Sequence, residues 1–472
     1  MNISPEIYNY FFLYHIEFDI IVALKNMKVN PMKHKDNIPL NFKEKNNSKI
    51  SLITSVIVLI ILFAFFRELD YNLVQKPKKE AAIQAEKERL AAEEAANAPI
   101  ITSVDILAVG DNTVYNDYIY DSGQSDSENW NYDHLYSNMA NEIKAADLSI
   151  VAQTTVLSSN HDTVNNYSIT PSEVGDALVN AGFDVIAAAT NSIDDYGPDS
   201  IMETIQYWKT SHPGIPILGL HETQAEANTV TTMTINDISI ALLNYTYGTN
   251  NSGAGEGKEF MIDVFDKAKI KAAVNQVKDY DCIIFIAHWG DENTTEVNEF
   301  QKQWAAYLME LGVDVLIGAH PHVLQPYGRL SDTRDNEMIV FYSLGNFVST
   351  SETIDGLLGG VAKFTIEKTI QNGVSTVKFL TPVIEPMVMH YSYDDNTYET
   401  YMLKDYSDDL AYGHYMIHST NDFTVENLQN RFKDIMSMNV TPSTAKDLVT
   451  DVETPDSGEG EAESAESESS EE

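Results

Sequence analysis

The chain has 472 residues, with 71 Asp and Glu against 30 Lys and Arg, for a net charge of −41. A balance of this sign excludes the Lys- and Arg-rich surfaces that phosphate backbones require, so no nucleic-acid partner is expected. The single cysteine, Cys282, lies in an apolar run; it cannot form an intramolecular disulfide and reads as a small buried hydrophobe.

The first 26 residues are aromatic but carry His15, Glu17 and Asp19, and two acids within a membrane helix would be costly. We therefore expect translation to start at Met27 or Met32, with residues 1–26 a gene-model extension and 1–49 a cytoplasmic basic segment. Ile50 to Phe66 is uncharged and strongly apolar, about 25 Å long as a helix, near the short limit for crossing a bilayer. Seven lysines from Lys25 to Lys49 precede it and only Arg67 follows at once, so the positive-inside rule puts the N-terminus in the cytoplasm and the remainder outside. No small-x-small pattern follows the run, so an uncleaved anchor at residues 50–66 is expected in the cell membrane. Gln75 to Asn97 is rich in Ala, Glu and Lys without a sustained apolar seam. It predicts a solvated helical stalk (67–99) about 30 Å long rather than a coiled coil.

Ser103 to Gly110 reads as the first strand of a folded domain. Leu148–Ala152, Val185–Ala189 and Ile215–Leu220 read as buried strands, and the stretch after Gly197-Pro198 as a helix with Pro near N1. Thr229–Thr234 and Ile238–Leu243 flank Asn236-Asp237 as a hairpin, and Asn372-Gly373 is the strongest short hairpin signal. Lys267–Val277 and Glu299–Leu311 have the periodicity of amphipathic helices. Asp194 and Asp195 read as capping or preceding the helix after Gly197. His390 to Asn421, rich in Tyr and Asp, is hard to place, and residues 387–440 are read as a C-terminal extension ending in a helix over 423–436. From Thr441 the composition turns to Ser, Glu, Gly and Pro, with ten acids and no Lys or Arg after Thr450, which predicts a disordered acidic tail.

The chemistry concentrates between His288 and Phe347. Three apolar runs end in polar motifs: Cys282–Ala287 delivers His288-Trp289-Gly290, Val313–Ile317 delivers Gly318-Ala319-His320-Pro321-His322, and Met338–Tyr342 delivers Ser343-Leu344-Gly345-Asn346-Phe347. Strands ending this way place side chains along one edge of a sheet. Three histidines gathered there can offer neutral imidazole nitrogens to a divalent metal. There is no Gly-rich phosphate loop, nucleophile elbow or CxxC pair, so no nucleotide cofactor is expected.

These motifs, with ILAVGD (106–111), AADLSIV and AGFDVIAAATNSIDDYG ahead of them, resemble the capsule-synthesis CapA family of poly-γ-glutamate biosynthesis proteins, relatives of the calcineurin-like metallophosphoesterases. The resemblance runs from about Ile101 to Pro386. It implies an α/β fold, a four-layer α-β-β-α metallophosphoesterase-like sandwich over residues 100–386, preceded by one transmembrane helix and a helical stalk. It also implies a centre of one or two divalent ions (Mn, Fe or Zn) held by Asp111, Asn191, His288, His320 and His322, with His288 and His320 as the catalytic residues. Asn346 reads equally as a turn or a site residue.

Two departures stand beside the likeness. Where the family reads roughly N-L-E-T, this chain has Ala152-Gln153-Thr154-Thr155; where it reads A-N-N-H, this chain has Ala189-Thr190-Asn191-Ser192. An acid and a histidine are thus replaced by hydroxyls at Thr154 and Ser192. The expected function is an extracytoplasmic, membrane-anchored protein of capsule or envelope polymer biosynthesis or export, working with the polymer and its synthesis machinery as a metal-dependent hydrolase. The alternative is an accessory protein that keeps the fold and supports polymer assembly without catalysis.

Overall fold

The structure is a computed structural model that describes residues 43–440 apart from 115–116, 125–128, 162–168, 252, 334–335 and 421. The expectations for residues 1–26 and for the tail from 441 lie outside the described residues. The chain divides into two units that meet at Ala96 and Asn97.

The N-terminal unit is helical. Helix α1 (Lys43–Asp70) leads through a π-helical segment (Tyr71–Gln75) into α2 (Lys76–Ala96). Pro77 lacks an N–H, so the usual bond one turn back cannot form, and the register changes just ahead of it, with Lys76 N–H reaching Tyr71 O. From Leu52 to Phe66 the large apolar side chains of α1 are exposed on every side. By length and composition it is the one helix among the described residues able to cross a membrane.

The second unit is built on two mixed sheets. In chain order its strands are β1 (Ile100–Asn112), β2 (Leu148–Gln153), the short pair β3 (Leu157–Ser158) and β4 (Thr170–Pro171), β5 (Val185–Ala187), β6 (Ile217–Leu218), β7 (Thr231–Ile235), β8 (Ile238–Thr246), β9 (Cys282–His288), β10 (Val315–Ala319), β11 (Tyr327–Ser331), β12 (Glu337–Phe341), β13 (Asn346–Val348), β14 (Leu358–Gln371), β15 (Val374–Ser392) and β16 (Thr397–Met402). The first sheet runs β16-β15-β14-β1-β2-β5-β6, with β13 also paired to β1; the second runs β11-β12-β10-β9-β8-β7. In each, the strands that carry the motifs are parallel: β1, β2, β5 and β6 in one, β8, β9, β10 and β12 in the other. Their carboxyl ends therefore open on a shared edge.

The side-chain period of two decides how each strand of the second sheet is buried. On β9, Cys282, Ile284 and Ile286 join the core shared with the first sheet, whereas Ile283, Phe285 and Ala287 face helices α3 (Lys267–Val277) and α4 (Glu299–Leu311). Ile240 and Leu242 on β8, and Ile339 and Phe341 on β12, follow the same rule. The first sheet in turn shares its core with the Ser172–Ala181 helix through Val174, Ala177 and Leu178. Sheets within and helices outside make the expected layered α/β sandwich.

Both helices on the second sheet have the ends expected of the sequence: Asp266 accepts from Lys269 N at 2.7 Å, and Asn298 with Gln301 forms a capping box. The Asn236-Asp237 turn has φ of 50° and 63°, the double left-handed geometry of a tight hairpin. Residues 387–402, read from sequence as part of an extension, are the end of β15 and all of β16, completing the edge of the first sheet. Tyr406 and Tyr415 beyond them pack into that sheet's core with Phe423 and the terminal helix, where His414 lies buried with His390, Tyr391 and Phe423 around it. Asp194 and Asp195 do not cap the helix at Pro198–Ser211, whose N-cap is Gly197. Asp194 instead accepts Gly253 N at 2.7 Å and Asn251 N at 3.3 Å, because the loop after β8 brings these two backbone N–H groups to it.

Candidate metal centre

Each site residue is delivered by a strand end. On β9 the parity that sends Ile284 and Ile286 toward the first sheet sends His288 the same way. His288 lies opposite Ala319 on β10, and Asp111, at a register shift near the end of β1, lies opposite Asn346 on β13. Two glycines permit the close approach. A Cβ at Gly110 would stand 1.9 Å from Gly345 O, and one at Gly318 would stand 1.9 Å from Tyr342 O.

The structure brings all five expected ligands together. Asp111 is fully buried, and His288 and His320 are 1% and 2% exposed. Asp111 Oδ2 accepts His320 N–H at 2.9 Å and Oδ1 accepts the Thr154 hydroxyl at 3.3 Å. Nδ1 of His288 stands 3.7 Å from Oδ1, and Nδ1 of His322 stands 3.9 Å from Oδ2. The rings of His288 and His320 are 4.7 Å apart. His320 and His322, on either side of Pro321, both have positive φ, 97° and 59°, a backbone state that costs of order 1–3 kcal/mol for a side chain with a Cβ.

Hydrogen bonding fixes which nitrogen carries each proton. Asp195 Oδ1 accepts Asn250 Nδ2 at 2.9 Å, which turns the Asn250 carbonyl oxygen toward Asn191 Nδ2, also at 2.9 Å. The Asn191 oxygen therefore accepts from His288 Nε2 at 2.8 Å. His288 is then protonated on Nε2, and Nδ1 is a bare lone pair facing the Asp111 carboxylate. His322 is set by similar logic. Asn346 donates through Nδ2 to the carbonyls of His322 and Gly356, so its oxygen accepts His322 Nδ1 at 2.8 Å. Asn346 thus holds His322 in place; its position in the SLGNF block was the available signal. Asn250 carried none, since it acts through a contact 59 residues away from Asn191.

Burial sets the charges. His288 is held well below the usual imidazole range by burial and by the neighbouring His320 and His322. His320 is lowered to about 3, again by burial and then by His322. Burial pushes Asp111 upward, opposed by His322, the His320 N–H and Thr154.

Two buried ring nitrogens at the site are left unsatisfied. Nδ1 of His288 and Nδ1 of His320 are buried without a hydrogen-bond partner, a condition that normally costs about 1–3 kcal/mol. The 3.7 Å between His288 Nδ1 and Asp111 Oδ1 is too long for a hydrogen bond, yet within reach of one ion bonded to both at about 2.0–2.1 Å. In this conformation no three His, Cys, Asp or Glu side chains among the described residues converge on one point. Thr154 and Ser192 are tied to each other: the hydroxyls of Ser192 and Thr190 both donate to Thr154 O, at 3.0 and 2.5 Å.

Among solved structures, the chain is similar to Haemophilus influenzae NAD nucleotidase, 11% identical, covering 71% of this chain and 60% of that one at a TM-score of 0.37. It is also similar to the calcineurin-like phosphoesterase YfkN from Bacillus subtilis, 14% identical, covering 70% and 100% at 0.37. Scores this low carry no weight beside the topology itself. In sequence it is 30% identical over 178 residues to the capsule biosynthesis protein CapA of Bacillus anthracis, covering 36% of this chain and 41% of that protein. It is 27% identical over 172 residues to the PGA biosynthesis protein CapA of Bacillus subtilis strain 168, covering 36% and 44%. The aligned stretches thus span less than half the length of these relatives. The family described as bacterial capsule synthesis protein PGA_cap matches residues 105–351, more than half of the chain and the whole stretch from β1 through the three histidine-bearing and asparagine-bearing strand ends. This chain belongs to that bacterial capsule synthesis protein family.

Proposed function

We propose that the protein is a single-pass, membrane-anchored, extracytoplasmic component of capsule polymer biosynthesis, of the poly-γ-glutamate type, that uses a divalent ion to hydrolyse a bond in the polymer or in an envelope phosphate ester. The observation that carries this reading is the pair of buried, partnerless Nδ1 atoms of His288 and His320 beside Asp111. The ion, when bound, supplies Lewis-acid polarisation and a hydroxide at neutral pH. The chain's own contribution is orientation and proton handling. The Asp195-Asn250-Asn191 relay aims the lone pair of His288 at Asp111, and Asn346 holds His322. Low basicity keeps His320 neutral, so its Nδ1 lone pair stays open to a cation at neutral pH. The net charge of −41 repels a free polyanion, so cations also supply the means of holding one.

A second reading is favoured by the hydroxyl cluster of Thr154, Thr190 and Ser192, which leaves neither a second carboxylate nor an imidazole there. On that reading the protein is an accessory factor that supports assembly with membrane partners. Turnover decides between them. Purified protein given Mn, Fe or Zn is offered a γ-glutamyl polymer and a phosphodiester, beside His320→Ala. Hydrolysis that chelation and His320→Ala both abolish supports the enzyme. Absence of turnover by protein that retains its ion supports the accessory role.

A further inference from the structure

Strand β6 ends the first sheet and β7 ends the second. A cleft of about 340 Å3 lies there, walled by β6, β7, β8, the Pro198–Ser211 helix and α3. Sites for small molecules run from about 300 to 1,000 Å3, so the space admits one. None of Asp111, Asn191, His288, His320 and His322 lines it. Its walls are apolar at Ile205, Ile217, Leu218 and Leu242, and a few polar groups stand among them.

Trp208, on the wall, supplies an unmet donor. The residue is 1% exposed and its Nε1–H is buried without a partner, a state that costs free energy unless something in the cleft accepts the proton. His221 and Asp263 supply acceptors. Leu220 and Ile262 are bridged antiparallel, with His221 N–H donating to Met261 O and Asp263 N–H to Gly219 O. That register makes His221 and Asp263 diagonal neighbours on one face. Asp263 Oδ2 lies 2.8 Å from His221 Nε2, and because a carboxylate only accepts, Nε2 carries the proton. Asp263 Oδ1 and His221 Nδ1 make no hydrogen bond among the described residues.

Charge narrows the ligand. Lys209 Nζ is 2.7 Å from both Glu222 and Glu226, so its charge is spent on two carboxylates while Asp263 adds a third. An anionic ligand is therefore repelled. An ammonium donates but accepts nothing, and would leave the Trp208 N–H unmet. A carboxamide carries an accepting oxygen and a donating NH2 on one plane. We infer that this cleft, apart from the metal centre, binds a small uncharged molecule with an apolar body and a carboxamide head, its oxygen accepting from Trp208 and its NH2 donating to the His221–Asp263 pair.

Benzamide is the probe, titrated into the full chain in lipid nanodiscs with 5-fluorotryptophan at its four tryptophans and read by fluorine NMR. The resonance missing from Trp208→Phe identifies Trp208. The expected result is a saturable shift of that resonance, with a Kd of about 1 mM or tighter for a ligand of this size. Trp208→Phe should bind about 10-fold more weakly by calorimetry, having lost one donor. Benzoate, alike in shape but charged, should also bind about 10-fold more weakly than benzamide, and Asp263→Asn should narrow that gap. No shift of the Trp208 resonance up to the solubility limit of benzamide would overturn the inference. A shift of Trp289, beside His288, in its place would put the amide at the metal centre and overturn the cleft while leaving the metal reading intact. Benzoate binding as well as benzamide, or undiminished binding by Trp208→Phe with unchanged circular dichroism, would overturn the carboxamide assignment.

Discussion

Replacing Asp111 by Asn is expected to stabilise the metal-free protein and to abolish its stabilisation by metal. In the folded state a fully buried carboxylate oxygen faces the lone pair of His288 Nδ1 across 3.7 Å, two electron-rich atoms with no proton between them. An amide of the same shape keeps the bond from the His320 N–H through its carbonyl and turns an N–H, rather than a charged oxygen, toward that lone pair, while the Thr154 hydroxyl turns to accept. Removing an uncompensated buried charge outweighs the partial loss of the charge-assisted bond from the His320 N–H, leaving a net gain of roughly 1–2 kcal/mol. With metal at 100 times its Kd, the wild type gains about 2.7 kcal/mol and the variant none, so the order of stability reverses. Urea unfolding of both proteins, in EDTA and again in excess Zn2+, measures each term. A variant less stable than wild type in EDTA would refute the account of Asp111 as a carboxylate waiting for a cation.

Three further outcomes are expected. His414, whose Nδ1 accepts Met416 N–H while its Nε2 donates to Met389 O, is lowered to about 3, chiefly by burial. The folded state thus resists a proton that the unfolded state takes up near pH 6.5, so stability present above that pH is lost as pH falls toward 3. By pH 5 this amounts to about 2 kcal/mol, and His414→Gln, which keeps donor and acceptor, should show a pH dependence shallower by that amount in urea titrations at about pH 7 and 5. Gly110→Ala should prevent folding or destabilise by roughly 3 kcal/mol or more, since its methyl would meet Gly345 O at 1.9 Å; circular dichroism and proteolysis report it. Asn250→Ala cuts the relay that fixes the His288 tautomer and should weaken metal binding by about 10–100-fold in competition titrations without loss of fold.

Much of the scaffold was legible because local rules decide it. Both helices on the second sheet fall on the expected residues, and the hairpin turns carry the left-handed pairs that Asn-Asp and Asn-Gly favour. The histidines were legible as a group because each ends an apolar strand, and parallel strands bring such ends to one edge. What stayed hidden depends on partners far away in the chain. The role of Asn346 requires a histidine 24 residues back, and that of Asn250 requires Asn191. Asp194 looked like a helix cap because the loop that occupies it lies 57 residues later. The tyrosine-rich segment after His390 was hard to place because polar tips mask how much ring area it buries.

The positive φ of His320 and His322 changes how a histidine experiment should be designed. At 97° and 59° the backbone on either side of Pro321 would be most comfortable with glycine, so the imidazoles persist against the preference of their own main chain. Alanine removes the ring but keeps the Cβ that makes the conformation uncomfortable, whereas glycine removes both. Truncating either residue to glycine should therefore yield a sturdier protein than truncating it to alanine, with the ring lost equally in each. The difference between the two variants measures the tension held in this loop, free of any contribution from what the rings bind.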